Sequence, residues 1–268
     1  MVLGKLVSKK NRALLRELVA TDFKLRYQGS VLGYAWSLLR PLLLFLILYV
    51  VFVRFLRLGK GIEHYPVYLL FGIVIWNFFN EITMQSLGSI VGRGDLIRKI
   101  RIPRWIVVIS SSLSALINFL LNLLVVLIFM GINHVNLMRT GLWLPLILLE
   151  VYVFALGISL FLAAAFVKFR DLGYIWEVIL QAMFYLTPII YPISMITNHK
   201  LQELLFLNPM AQAIQDARYS TITHQTLTMR HVYGSFAYEF VPIGIAVVSL
   251  VIGVLYFKKE AKYFAENI

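Results

Sequence analysis

The chain has 268 residues, of which 60% are hydrophobic and only 14% charged, and it contains no cysteine. That balance excludes a soluble globular domain, a disulfide framework, a thiolate metal site and a cysteine nucleophile. The formal net charge of +12 could suit nucleic acid, but the basic residues gather at alternate junctions between apolar runs, which is the distribution of a membrane topology signal.

The chain opens on a hydrophilic basic stretch without the short apolar core and small-residue cleavage site of a signal peptide, so insertion is expected to use the first true span. Between Ser8 and Tyr27 the residues Leu14, Leu15, Leu18, Val19 and Phe23 recur at three- and four-residue steps, with Lys10, Arg12, Arg16 and Lys24 on other faces. This spacing predicts an amphipathic helix in the membrane interface, serving either as a plain anchor or as a docking element. Gln28-Gly29-Ser30 follows as a hinge, the glycine permitting a sharp change of direction.

Six apolar runs come next, at Val31–Val53, Tyr65–Gly92, Trp105–Ile132, Gly141–Val167, Tyr174–Ile196 and Phe236–Phe257. A run of about 20 apolar residues matches the hydrocarbon thickness of a bilayer, and backbone groups in lipid must be bonded within their own segment. The expected fold class is therefore an all-α integral membrane protein with six transmembrane helices, occupying 1–268 as a single transmembrane domain. Its parts are an interfacial helix over 8–27, a six-helix region over 31–257 and a tail over 258–268. Arg93, Arg98, Lys99, Arg101 and Arg104 follow span two, Lys168 and Arg170 follow span four, and Lys258, Lys259 and Lys262 follow span six. By the positive-inside rule these segments and both termini are cytoplasmic.

Two connections carry structure of their own. After span two, Gly94-Asp95 and Pro103 bound a short cytoplasmic helix with Leu96, Ile97 and Ile100 on one apolar face that needs a lipid or protein partner. After span five, Leu201, Leu204 and Leu205 form one short stripe and Met210, Ala213, Ile214 and Ala217 another, hinged at Asn208-Pro209. Each stripe is too short to span, which predicts two re-entrant or interfacial half-helices on the outer side. Glu81, Glu150 and Glu177 are the acids expected within spans, as functional groups or as carboxyls tying helices together. The five histidines are scattered over outward segments, and no phosphate-binding loop, His-Glu-x-x-His or Gly-x-Ser-x-Gly motif occurs. The chain is thus expected to be no enzyme, to hold no cofactor or metal, and to hydrolyse no ATP by itself.

The stretch Phe23-Lys24-Leu25-Arg26-Tyr27-Gln28-Gly29-Ser30-Val31-Leu32-Gly33-Tyr34-Ala35-Trp36, followed by Arg40-Pro41-Leu42, resembles the start of the membrane subunits of ABC exporters for lipid-linked polysaccharides and teichoic acids. Trp76-Asn77-Phe78-Phe79, Leu96-Ile97-Arg98-Lys99 with Pro103, Asn118-Phe119, Phe169-Arg170-Asp171, Thr187-Pro188-Ile189-Ile190-Tyr191-Pro192 and Asn208-Pro209-Met210 with Arg218 follow in the family's order. The resemblance implies a bacterial inner or plasma membrane permease that works as a homodimer with two separate ABC ATPase subunits, which bind the ATP and magnesium. It also implies a coupling helix, Asp95, Leu96, Ile97, Arg98, Lys99 and Ile100, pressed into the ATPase, and an outer gate at Asn208, Pro209 and Arg218. The expected cargo is a polyprenyl-pyrophosphate-linked glycan, with membrane lipids as further partners and no nucleic acid.

An anionic pyrophosphate cannot cross bare hydrocarbon, so a polar path is required. Lys24, Arg26, Tyr27, Ser30 and Arg40 bring cations and hydroxyls together at the cytoplasmic interface as a gate for the head group. Trp36, Tyr49, Phe52, Trp76, Phe79, Phe184 and Tyr185, with Gln181, are candidates to line the channel, because aromatic rings support the apolar faces of sugars. The alternatives are an efflux permease for drugs or small lipids, sharing the six-span plan, and an integral membrane enzyme acting on polyprenyl phosphates.

Overall fold

The computed structural model describes residues 9–27, 29–33, 35–59, 61–99, 102–136 and 139–264. Among these residues the secondary structure is helical, with no strand. The first helix, α1, covers Lys9–Tyr27. Its residues Leu14, Leu15, Leu18 and Val19 turn inward while Lys10, Arg12, Arg16 and Lys24 stay exposed. Gly29 (φ 78°) and Gly33 (φ 49°) then take left-handed backbone conformations that favour glycine, on the way to the next helix.

Helix α2, Ala35–Leu48, continues as a π-helical segment, Tyr49–Phe55. Pro41 lies inside α2 and is buried. Proline has no N–H, so the carbonyl of Ser37, four residues back, loses its usual helical partner. Asn122 Nδ2 donates to that carbonyl at 3.2 Å, so a local defect in the first membrane helix becomes a link to the third.

That third helix, α5 (Trp105–Ile132), and α6 (Leu144–Lys168) flank the most buried helix of the fold, α3 (Tyr65–Gly92). Phe78 of α3 stacks on Phe119 of α5 with ring centroids 4.3 Å apart, and Phe79 stacks on Phe154 of α6 at 5.6 Å. The buried hydroxyls of α5 are satisfied inside their own helix, Ser110 donating to Val107 O and Ser114 to Ser110 O. Between α3 and α5 lies a short helix, α4, at Gly94–Lys99. Arg93, just before it, pairs with Asp22 of α1 and donates from Nη1 to Ser110 Oγ at 2.8 Å. One guanidinium therefore ties α1 to the ends of two membrane helices.

Helix α7 covers Leu172–Leu186, and here the structure departs from the expected span over Tyr174–Ile196. Thr187 takes an extended conformation, ψ 136°, because the ring of Pro188 disfavours helical geometry in the residue before it. The chain then runs irregularly to a 3-10 turn at Ile193–Met195. At 15 residues α7 is about 22 Å long. Among the described residues five helices, not six, are long and apolar enough to cross a bilayer: Ala35–Phe55, Tyr65–Gly92, Trp105–Ile132, Arg139–Lys168 and Phe236–Tyr263.

Two short helices follow α7, α8 (His199–Phe206) and α9 (Pro209–Thr221). Asn198 caps the first by accepting from the backbone N–H of Lys200, and Asn208 caps the second by accepting from Met210 N at 3.0 Å. Nearly every residue of α9 is buried, its polar ones included. A further turn of helix, α10 (Met229–Tyr233), leads to α11 (Phe240–Glu260), which packs along α6. Gly157 and Gly253 meet at that crossing, where a Cβ on either would overlap the other helix's backbone. Small residues let membrane helices approach this closely.

Candidate functional site

Helices α2, α3, α5 and α7 line an open cavity of about 940 Å³. Trp36, Arg40 and Pro41 of α2 line it, as do Trp76, Asn77, Asn80 and Glu81 of α3, Asn118 and Asn122 of α5, and Glu177, Gln181, Phe184 and Tyr185 of α7. Polar groups this dense within membrane helices are costly unless they bond one another or face water. Both solutions occur here. Glu81 Oε1 accepts from Asn118 Nδ2 and from Gln85 Nε2, each at 2.6 Å, so a side-chain hydrogen bond joins α3 to α5. The backbone carbonyl of Asn118 accepts from Asn122 Nδ2 at 2.9 Å, and Asn122 reaches Ser37 as described above.

The aromatic side of the cavity is built from α3 and α7. The rings of Trp76 and Phe184 lie 6.0 Å apart, and Tyr185 stands edge-on to Phe184 at 5.3 Å. Trp36 and Tyr185 remain 44% and 59% exposed within the isolated chain, so their rings are free to meet a ligand or another protein surface.

Of the residues expected along the path, Trp36, Arg40, Trp76, Gln181, Phe184 and Tyr185 come together on this one wall. Tyr49, Phe52 and Phe79 do not. Tyr49 packs beside Phe45, Phe52 lies on the π-helical segment beyond it, and Phe79 faces Phe154 in the core. Lys24 and Ser30 are exposed, whereas the side chains of Arg26 and Tyr27 lie outside the described residues. Asn77, Asn80, Gln85 and Asn122 belong to the site but were not expected as lining. Their signal was helical spacing, since Asn77, Glu81 and Gln85 recur every fourth residue, as do Asn118 and Asn122.

In α4, Asp95 and Arg98 are exposed, and Leu96 is half-buried. Ile97 packs against the chain's own core beside Ile90 and Val107, so it is only partly available to a partner. Ile100 and the side chain of Lys99 lie outside the described residues.

Pro209 and Arg218 lie on α9, and Asn208 is its N-cap. Besides capping α9, Asn208 donates to Thr187 Oγ1 at 3.3 Å, which fastens α9 to the broken end of α7. Arg218 is completely buried. Its Nε donates to Tyr68 O, Nη1 to Pro188 O at 2.8 Å and Nη2 to Ile189 O at 2.7 Å, and its guanidinium lies 3.6 Å from the Tyr68 ring centroid. One side chain thus holds α9, α3 and the segment after α7 together.

A second polar cluster joins α6 to α9, where Gln212 donates to Asp216 close to Glu150. Burial pushes the Asp216 carboxyl up from 3.8 to about 7, with the Gln212 bond opposing the shift and nearby Glu239 adding to it. Between those values the folded state holds a proton that the unfolded chain has lost. The contribution to stability is therefore full below 3.8 and disappears as pH rises through about 7. Asp216→Asn is expected to flatten the fall in Tm of the detergent-solubilised protein between about pH 4 and 7. A slope identical to wild type would contradict that role for Asp216.

The structure so defines a class, a multi-pass α-helical membrane protein built around a polar, aromatic-lined cavity. A family model described as ABC-2 type transporter matches residues 13–222, and the chain belongs to that family. It is similar to the O-antigen export system permease protein RfbA of Klebsiella pneumoniae, 30% identical over 256 residues and 94% of each chain. The protein of the same name from Myxococcus xanthus is 32% identical over 207 residues, 74% of this chain and 76% of that one. The polysialic acid transport protein KpsM of Escherichia coli is 24% identical over 216 residues, 77% of this chain and 80% of its own.

Proposed function

We propose that the chain is the permease subunit of an ATP-driven exporter that carries a polyprenyl-pyrophosphate-linked polysaccharide, of O-antigen or teichoic acid type, out across the bacterial inner or plasma membrane. ATP and magnesium belong to a separate ATPase subunit, present in two copies on a homodimer of this chain. The observation that carries this reading is the cavity between α2, α3, α5 and α7, because amide groups beside aromatic rings suit a sugar's hydroxyls and its apolar faces. Family membership and the similarity to O-antigen export permeases support it over efflux of small apolar compounds, for which such a wall of amides has no use.

In this reading the whole chain is one permease domain with both termini cytoplasmic, and α7 with the irregular segment up to Ile196 makes a sixth crossing. The exposed residues of α4 dock on the ATPase, and α8 and α9 form a re-entrant outer gate. The pyrophosphate binds between the interface helix and Arg40, with Lys24, Arg26, Tyr27 and Ser30 around it. Its hydrocarbon tail stays in lipid.

Arg40 supplies the test. Arg40→Ala is expected to cut export about tenfold, because a charge-assisted bond to arginine contributes about 1.5 to 3 kcal/mol. Arg40→Lys keeps the charge and loses the planar fork, so partial recovery is expected. Equal export by wild type, Arg40→Lys and Arg40→Ala at matched membrane levels, with ATPase assembly intact, would remove Arg40 from the path.

A further inference from the structure

The charged groups on the cavity wall are Arg40 and two carboxyl groups, Glu81 and Glu177. Everything else polar that lines it is uncharged: the amides of Asn77, Asn80, Gln85, Asn118, Asn122 and Gln181, and the hydroxyls of Ser37 and Tyr185. Arg40 stands on α2, near the end that follows the interface helix, while Glu81 stands on α3 and Glu177 on α7. Glu81 is fixed in place by its two amide donors. Glu177 is exposed, and among the described residues it has no hydrogen-bond or ion partner.

We propose that this path selects glycans by charge: it passes polymers of uncharged sugars and rejects polymers with an anionic group on every repeat, with Glu177 as the principal determinant and Glu81 as the second. The proposal rests on the export reading above and narrows its cargo: of the two polymer types named there it keeps an O-antigen type built of uncharged sugars and drops the teichoic acid type, whose every repeat carries an anionic phosphate. A single anionic head group needs a single cationic site, which Arg40 provides once. A repeating anion is different, since each successive residue must pass two carboxylates held between membrane helices, where low-dielectric walls focus their field. Like charges brought together across a binding surface cost enough to exclude a wrong partner. Uncharged sugars meet no such barrier and exchange water for the amides of α3, α5 and α7.

The test uses the assembled exporter, this chain with its ATPase partner, in proteoliposomes. The same polyprenyl pyrophosphate carrier is loaded with a neutral mannose polymer or with a sialic acid polymer of equal length. Wild type is expected to export the neutral polymer at least about tenfold faster than the polyanion. Glu177→Gln is expected to raise the ratio of polyanion to neutral export several-fold, and Glu177→Lys to raise it further. Glu177 is exposed on its helix, so neither substitution threatens folding. Glu81→Gln, which keeps an oxygen for Asn118 and Gln85, should move the ratio in the same direction by less. A wild-type ratio near one, or a ratio that none of the three variants moves, overturns the proposal while leaving export established. Failure to export either polymer, with ATP turnover intact, overturns the export reading and the proposal with it.

Discussion

Replacing Arg218 with methionine is expected to destabilise the protein by several kcal/mol and to abolish export. The substitution keeps an apolar stem of similar reach but leaves the carbonyls of Tyr68, Pro188 and Ile189 buried without the donors they have now. A buried acceptor deprived of its partner costs about 1 to 3 kcal/mol. Removing the buried cation returns some desolvation energy, which makes the net loss smaller than three such costs added together. For a chain of this size the expected fall in Tm is of the order of 10 °C, measured by thermal unfolding in detergent. Arg218→Lys should recover little, because one ammonium cannot point at three carbonyls or stack flat on Tyr68. Gly72→Ala attacks the same hub from the opposite side, since its Cβ would overlap the guanidinium. A Tm within about 2 °C of wild type for Arg218→Met would mean that α9 is held by its apolar packing alone.

Gly253→Val is expected to have a comparable effect by a different cause. Its side chain would be driven into the carbonyl oxygen of Gly157, and that of Gly157→Val into the backbone of Ser249 and Leu250. Backbone cannot rotate out of the way as a side chain can, so α6 and α11 must separate and lose their contact along the crossing. Overpacking costs about 1 to 3 kcal/mol even in forgiving cores, and valine here should exceed that. The alanine variants should fall within it. Gly244 lies on the same helix with open space where a Cβ would be. Gly244→Ala is therefore the control, expected to be neutral or slightly stabilising through its higher helix propensity. Equal yields and melting temperatures for Gly253→Val and Gly244→Ala would show that the two helices do not pack at these glycines.

These two sites also mark what the residue order reveals and what it hides. The membrane helices at Tyr65–Gly92 and Trp105–Ile132 are bounded as read from hydropathy, because Arg93-Gly94-Asp95 follows directly on the first apolar run and the polar pair Asn133-His134 on the second. The short helix α7 was overestimated for a local reason. Ile189, Ile190 and Ile193 keep the hydropathy high past Pro188, but the proline, not the hydropathy, ends the helix. Helices α1, α8 and α9 were legible from three- and four-residue spacing, with Asn208-Pro209 marking the start of α9, whereas the Asn198 cap of α8 was not. The near-total burial of α9 was not, since its low average hydropathy conceals that Gln212, Gln215 and Arg218 find partners inside the fold. The aromatic half of the cavity could be named from residue type, but its amide half needed the register of three helices at once. No sequence signal distinguishes Gly157 and Gly253 from Gly244, because what matters is which helix lies opposite.

The most direct test of the export function is the fate of the lipid-linked glycan in cells depleted of this chain. The account predicts that polymer synthesis continues and that polyprenyl-linked glycan accumulates on the cytoplasmic side while it disappears from the cell surface, with both effects reversed by restoring the wild-type chain. Loss of lipid-linked polymer synthesis itself would instead identify an enzyme of assembly, and undiminished surface polymer would contradict a role in its export.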